Sequence, residues 1–487
     1  MKLKGLRWWI IGLIMLITII NYLDRGTLNY MWVANIEYKN VDQINTELKE
    51  NQAQFNEENN TYLLVTKSGD TLTQKASLIT FKNDNEIVVN RQGIAYELGI
   101  VDRNASAEEA SKQAKDQLGI ITIFFMIAYG FSQLFSGKLY DKIGTQKGFA
   151  FSVLIWGFAD ALTSLAQGKI GLTGFRMMLG LGEAGPWPGT AKSNAEWFPQ
   201  KERAFAQGLF GAAASIGSII APIVILSLYI SIGWKNTFIV VGSLGILWII
   251  PWLIINKKGP KEHKWITEEE KNYILNNQPE SGLSNEVGKS WGALLTNKKN
   301  YSVILGRFFL DPIWWMFVTF LPMYLVEEFN LNIKELAYSA WVPYVGAMIG
   351  SIAGGWFSGF LIRKGYTVDK ARKTAIVLGG CVIVPAIFAS VMASSAALAV
   401  ILMAFVLGGF QFTVVNIQTL PSDLHGGKSV GSLAGLGGAA AVLGTIIAIL
   451  FANQIASWTL LFGLLAALVP LSLLSIFITV GKIEQIK

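Results

Sequence analysis

Gly211-Ala-Ala-Ala-Ser-Ile-Gly-Ser-Ile-Ile-Ala221 is answered later in the chain by Gly438-Ala-Ala-Ala-Val-Leu-Gly-Thr-Ile-Ile-Ala448, the two differing only at Ser215/Val442, Ile216/Leu443 and Ser218/Thr445. Close helix packing in a membrane by itself enriches Gly and Ala, which let backbones approach. A duplicated chain, however, would place both segments at the same point of two related halves, and that reading organises the rest of the sequence.

Around the repeat, apolar matter comes in runs of about 20 residues, the length a helix needs to cross about 30 Å of hydrocarbon. The candidate spans are 8–30, 118–137, 148–168, 171–193, 204–230, 236–256, 302–326, 339–362, 374–394, 396–420, 430–453 and 457–480. The repeat segments fall in the fifth and eleventh, so the expected fold is an all-α membrane protein of twelve transmembrane helices in two six-helix pseudo-repeats. Composition agrees: of 487 residues 52% are hydrophobic and 15% charged, with a mean hydropathy of +0.43. Such a chain has too little polar surface to be a soluble protein of that length.

The net charge of +7 does not point to nucleic acid, because Lys and Arg sit between hydrophobic runs rather than on a polar face. Basic residues gather in alternate short loops: Lys138, Lys142 and Lys147; Lys192, Lys201 and Arg203; Arg363, Lys364, Lys370, Arg372 and Lys373. Those loops and both termini are expected to be cytoplasmic. Residues 257–300 form the long cytoplasmic linker, leaving 1–35 with 118–256 as the first bundle and 301–487 as the second. Lys2, Lys4 and Arg7 precede an apolar run without a small-residue cleavage site, which reads as a retained first helix.

Residues 36–117 break the pattern. They are polar and net acidic, with short alternating runs at Tyr62–Thr66, Thr71–Phe81 and Glu86–Asn90 around Ser68-Gly69-Asp70. A small α+β extracytoplasmic insertion is expected between the first two helices.

Charge inside a span is the sharpest functional signal, since an ionised side chain at the bilayer centre costs at least about 2.5–3.5 kcal/mol. Five positions qualify: Asp24 and Arg25 in span 1, Arg176 and Glu183 in span 4, and Asp311 in span 7. Arg307, nearer the start of span 7, is expected to snorkel to the interface. Seven residues separate Arg176 from Glu183, which puts them on one helix face about 10.5 Å apart. Asp24 and Arg25 diverge by about 100°. Two arginines suit an anionic solute, because guanidinium grips carboxylates in a two-pronged fashion. Carboxylates beside them suit proton coupling, because a neighbouring Arg and burial push their protonation in opposite directions. The competing reading is a set of static interhelical ion pairs, which desolvation makes poor packing devices.

Tyr22, Tyr129, Gln133, Trp314, Trp315, Gln411 and Asn416 supply rings and amides from spans 1, 2, 7 and 10, the company a sugar prefers, although an interfacial or packing role suits each singly. Gly137-Lys-Leu-Tyr-Asp-Lys-Ile-Gly144 with Lys147 occupies the loop after span 2. There Gly137 allows close approach, and Asp141, between Lys138, Lys142 and Lys147, can accept from a helix N-terminus or a basic neighbour, as a cytoplasmic latch would. The single cysteine, Cys381, precludes an intramolecular disulfide, and with His263 and His425 as the only histidines, metal or triad chemistry has little material. No enzyme, cofactor or metal is expected.

These residues resemble the anion:cation symporter family of the major facilitator superfamily, and within it the bacterial hexuronate transporters. The resemblance covers nearly everything except 36–117. Its anchors are Gly5-Leu-Arg-Trp8, Asn21-Tyr-Leu-Asp-Arg25, the 137–147 loop, Arg176 with Gly182-Glu-Ala-Gly-Pro-Trp-Pro188, Glu196-Trp-Phe-Pro-Gln-Lys-Glu-Arg203, Arg307-Phe-Phe-Leu-Asp-Pro-Ile-Trp-Trp315, and Ser422-Asp423. The resemblance implies the major facilitator fold and proton-coupled import of a sugar acid such as galacturonate or glucuronate by alternating access. It implies Asp24 and Glu183 as protonation sites, Arg25 as a substrate-carboxylate contact, Arg176 as the charge partner coupling them, and Tyr22, Tyr129 and Gln133 as pocket residues. Where relatives show His-Gln-Gly-Trp in span 10, this chain has Phe410-Gln411-Phe412-Thr413. Gly355-Trp-Phe-Ser-Gly359, the counterpart of the latch, lacks the acid. A monomer in the cell membrane is expected, with protons and a small anionic sugar acid as partners and no nucleic acid. The alternatives are a symporter of another organic anion, an aldonate or small carboxylate driven by protons or sodium, and a membrane sensor that binds its ligand with 36–117.

Overall fold

The computed structural model describes residues 2–32, 53–56, 61–65, 71–75, 79–81, 87–89, 93–102, 107–278, 288–329, 339, 341–425, 427–452, 455 and 457–486. Its helices are α1 (Leu6–Met31), α2 (Ile94–Glu97), α3 (Ala107–Thr163), α4 (Lys169–Glu183), α5 (Pro186–Trp197), α6 (Gln200–Ile255), α7 (Glu268–Asn276), α8 (Trp291–Thr296), α9 (Tyr301–Phe329), α10 (Val342–Arg363), α11 (Val368–Val391), α12 (Ala396–Leu424), α13 (Val430–Ala452) and α14 (Trp458–Val480). Among the described residues, 8 helices are long and apolar enough to cross a membrane. Large apolar side chains such as Ile170, Ile223, Ile230, Phe405 and Ile478 stand exposed on their outer faces, a surface that lipid rather than water solvates.

Two long helices each contain a break. Gly144 has φ 81° inside α3 and Gly233 has φ 76° inside α6, left-handed backbone that glycine adopts without a Cβ clash. At Gly144 the chain reverses. Tyr140 and Ser152 would lie about 18 Å apart along one straight helix, yet the Tyr140 hydroxyl donates to Ser152 Oγ at 3.3 Å. Span 171–193 is divided as well, into α4 and α5, where Pro186 supplies no N–H and starts a new helix. Polar side chains cap several starts: Thr367 accepts from Lys370 N, Ser395 from Leu398 N and Ser457 from Leu460 N.

The repeat segments explain how the helices fit. On α6, a Cβ at Gly208 would run into the Ser351 carbonyl of α10, and one at Gly211 into the Ser351 hydroxyl. On α13, a Cβ at Gly435 would run into the Gln133 carbonyl of α3, and one at Gly438 into the Gln133 amide oxygen. One turn further along, Gly355 lies on the Ala204 carbonyl and Gly137 on the Gly431 carbonyl. The two glycine ladders thus make the same contact twice in the same register. One apolar core is drawn from Val303 to Ile483, whereas two others come from residues up to Ile274, one of them joined by Val442 and flanked by Trp315, Ile446 and Ile449.

Both chain ends and the linker share one face. Leu3 N donates to Trp265 O at 2.7 Å, Glu270 accepts from Leu6 N at 2.9 Å and from the Arg7 guanidinium at 2.8 Å, and Lys299 Nζ reaches Glu484 at 3.2 Å. Within 36–117 the strands are β1 (Ala53–Asn56), β2 (Thr61–Val65), β3 (Thr71–Lys75), β4 (Ile79–Phe81) and β5 (Ile87–Val89). They pair antiparallel as β1-β2-β3 and β4-β5. The expected single run at Thr71–Phe81 is therefore two strands belonging to two sheets, and Ser68-Gly69-Asp70 lies outside the described residues. Helix α3 begins at Ala107, about three turns before the boundary expected at 117. Here the helix continues past the apolar run, since helix formation needs backbone hydrogen bonds and not lipid. The start of α2 packs against the helix ends: Ala95 N donates to Trp32 O at 3.1 Å and Trp234 Nε1 to Glu97 at 2.6 Å.

Candidate functional site

α1, α3 and α4 bring the intramembrane charges together. From adjacent positions on α1, Asp24 and Arg25 point different ways. Arg25 donates Nε and Nη2 to Glu183 Oε2 at 3.0 and 2.9 Å. Its guanidinium sits 5.1 Å from the ring centre of Tyr22, 5.3 Å from Tyr129, 5.7 Å from Trp315 and 5.8 Å from Phe125, distances at which the ring faces attract a cation. Trp315 is on α9, so this cage closes across the two sets of helices. Two turns before Glu183, Arg176 donates Nη2 to the Arg25 carbonyl at 3.1 Å. The seven-residue spacing thus has a concrete result: one face of α4 grips Arg25 by its backbone and by its side chain.

Asp24 turns instead towards α3, where it lies within side-chain reach of Asp160. Asp160 is missing from the five charges picked out above, although the same criterion, a lone acid inside an apolar run, marks it within 148–168. Asp24, Asp160 and Glu183 are fully buried and Arg176 is 5% exposed. Neither oxygen of Asp24 or Asp160 accepts a hydrogen bond, and Arg176 Nη1 and Glu183 Oε1 are also buried without a partner.

The remaining residues divide. Gln133 is buried against Gly438, whose Cβ position is 3.4 Å from Arg307 Nη1, and its amide oxygen has no donor. Gln411 Oε1 faces Gly211 at 3.2 Å from the Cβ position. Asp311 pairs with Arg307 one turn earlier at 2.6 Å, and its other oxygen is unpartnered. Arg307 is 8% exposed, so the snorkelling expected of it does not occur; the Asp311 carboxylate holds it inside. Trp314 stacks on Phe410, with ring centres 5.7 Å apart, in the later core. Asn416 is also withdrawn, donating to the Gly354 and Phe412 carbonyls at 3.2 and 2.9 Å and so tying α12 to α10.

On the face that carries the linker, Asp141 accepts from Gly431 N at 3.1 Å and from Ser432 N and Oγ, both at 2.6 Å, at the positively polarised start of α13. Lys192 stands 3.3 Å from the same carboxylate. Lys142 and Lys147 are exposed. A second clasp, absent from the sequence-based expectations, lies opposite: Arg372 binds Asp423 at 2.9 Å and Ser358 Oγ at 2.7 Å, and donates to the Gln200 carbonyl at 3.0 Å. Its signal was an Arg in a basic loop facing Ser422-Asp423. Here Asp423 supplies the acid that Gly355-Trp-Phe-Ser-Gly359 lacks. Among the described residues no group of acidic, histidine or cysteine side chains could hold a metal ion.

The Major Facilitator Superfamily model matches residues 14–449. This chain belongs to that superfamily of multi-pass membrane transporters, and it is not an enzyme. The hexuronate transporter of Escherichia coli (strain K12) is 30% identical over 369 residues, which are 74% of this chain and 84% of that protein. The galacturonate transporter of Dickeya chrysanthemi is 31% identical over 296 residues, 59% of this chain and 85% of that protein. Among solved structures, the proton:xylose symporter XylE superposes with a TM-score of 0.64 at 13% identity, covering 99% of this chain and 97% of that one, a likeness of fold alone.

Proposed function

We propose that this protein is a proton-coupled symporter that imports a sugar acid, such as a hexuronate, by alternating access. The observation that carries this reading is Arg25: a guanidinium inside a ring of Tyr22, Tyr129 and Trp315, whose one carboxylate partner among the described residues is a buried, protonatable glutamate. A substrate carboxylate arriving at Arg25 replaces Glu183, and the displaced Glu183, left in an apolar site, takes a proton. Substrate and proton thereby enter together. Asp24 is the second protonation site, Arg176 couples it to Arg25, and Gln133, Gln411, Asp311, Trp314 and Asn416 complete or support the opposite wall. The names of the relatives favour sugar acids over other anions.

In this reading twelve helices cross the bilayer, with α3 and α6 each counted twice at Gly144 and Gly233, and α4 with α5 counted as one crossing. The division into two bundles lies at 257–300, and the strands at 53–89 belong to the extracytoplasmic insertion. The linker face, with its lysines and both termini, is cytoplasmic, and Asp141 and Arg372 hold it shut while the chamber opens outward. The protein works as a monomer.

Proteoliposomes test the proposal. An inward proton gradient accelerates glucuronate or galacturonate accumulation, and replacing sodium by choline leaves it unchanged. Glu183→Gln abolishes accumulation while sparing exchange of internal for external substrate. Normal accumulation by that variant removes Glu183 from the coupling step.

A further inference from the structure

Asp160 has no place in the mechanism above, yet it is fully buried in the same charge network. Arg176 and Glu183 on α4 are the charges that act on both Asp24 and Asp160, and α6 brings Gly242 close, its Cβ position 3.3 Å from Asp160 Cβ. Counting Arg25, the network holds three carboxyl groups and two guanidiniums. Fully ionised it would carry one net negative charge in a sealed, low-dielectric place, which is strongly unfavourable. One proton removes that charge.

Where the proton sits follows from the partners. Glu183 already receives two donors from Arg25. Asp24 and Asp160 receive none, and their carboxyl groups are neighbours. Two carboxylates that close cannot both ionise, whereas one carboxylic acid donating to one carboxylate satisfies both. Trp156 Nε1, itself buried without a hydrogen-bond partner, is a neighbouring donor suited to the carboxylate member of such a pair. A sodium ion fits less well, since it would stand beside the Arg176 guanidinium, whose charge repels it.

We propose that Asp24 and Asp160 share a single proton in the substrate-free protein, making Asp160 part of a proton-binding place distinct from Glu183. This deepens the proton-coupled reading of the same site. The shared proton comes from the side to which the chamber is open and leaves on the other. Arg176, bound to the Arg25 carbonyl, senses whether the pair is charged.

Infrared spectroscopy of the purified full-length protein at neutral pH, without substrate, reads the proton directly through the C=O stretch of a buried carboxylic acid and its shift in heavy water. The expected result is a band present in the wild type, unchanged in frequency in Glu183→Asp, which keeps the network's charge, and lost in both Asp160→Asn and Asp24→Asn. Asp160→Ser serves should Asp160→Asn fail to fold. A band that survives Asp160→Asn, shifts or disappears with Glu183→Asp, is absent from the wild type, or is abolished by sodium but not by choline overturns the proposal. The band is independent of transport. Failure of a proton gradient to drive uptake would therefore sink the symport reading and leave the shared proton standing.

Discussion

Arg25 donates Nε, at 3.0 Å, and Nη2, at 2.9 Å, to one oxygen of Glu183, and leaves the other oxygen buried without a donor. A carboxylate matched to guanidinium would use both oxygens. The pair is therefore sub-optimal in a way that a substrate carboxylate can improve upon, and it places the substrate among rings already arranged around the cation.

Arg25→Lys keeps the charge but loses the planar fork. A charge-assisted hydrogen bond contributes about 1.5–3 kcal/mol, so glucuronate should bind about tenfold to a hundredfold more weakly. Calorimetry on the purified protein measures this, and unchanged affinity would remove Arg25 from the substrate contact.

Asp141 lies in helix α3 just before its break at Gly144, where the sequence led one to expect a loop, and it ties that helix end to the start of α13 through three hydrogen bonds and Lys192. Asp141→Asn removes the charge and so destabilises the closed linker face, leaving Lys192 without its strongest partner. Ala191 packs at this closure with Val430 and Ala434. In a Cys381→Ser background, a thiol introduced by Ala191→Cys should react slowly with a water-soluble maleimide, and several-fold faster once Asp141→Asn is added. Equal rates would mean that the carboxylate does not hold the face shut.

Gly137 and Gly355 occupy equivalent places in the two glycine ladders, each against a backbone carbonyl of the opposite set of helices. Backbone cannot yield as a side-chain tip can, so Gly137→Ala and Gly355→Ala should each lower uptake at least tenfold while protein levels in the membrane stay near normal. Gly12, with nothing near its Cβ position, is the control: Gly12→Ala should leave uptake intact and raise thermal stability by up to about 1 kcal/mol. Normal uptake by either ladder variant would show that the close approach is dispensable.

Much of this was legible in the sequence because bilayer thickness dictates run length and the cost of buried charge restricts where Arg25, Arg176 and Glu183 can stand. That Arg176 and Glu183 share a face of α4 followed from their seven-residue spacing, whereas the meeting of that face with Arg25 is shown by the structure. What sequence could not supply is the rotation of each helix against its neighbours. Trp314 and Trp315 are adjacent, yet one joins the later core and the other caps Arg25, and Asn416 is turned to the α10 backbone. Arg307 looked interfacial because its position near a helix start was visible, whereas its partner at i+4 decided the outcome. Asp160 was readable and overlooked, a single acid whose partners lie on other helices.

His425, at the end of α12, meets Asn300 Oδ1 through Nε2 at 2.8 Å, at the seam between the linker and the later helices. Burial, and then the nearby Lys289, push its imidazole down to about 4. The unfolded chain protonates near the ordinary value of 6.5, so between that pH and about 4 the unfolded state binds more protons than the folded one. Stability contributed by the neutral imidazole is therefore complete above pH 6.5, falls as the pH drops through this window, and is gone below about 4. His425→Gln, which can donate to Asn300 without titrating, should have a melting temperature that falls less steeply than the wild type's between those limits, with the two curves separating most at the acid end. Parallel curves in detergent across the window would show that His425 is not the group whose protonation loosens this seam.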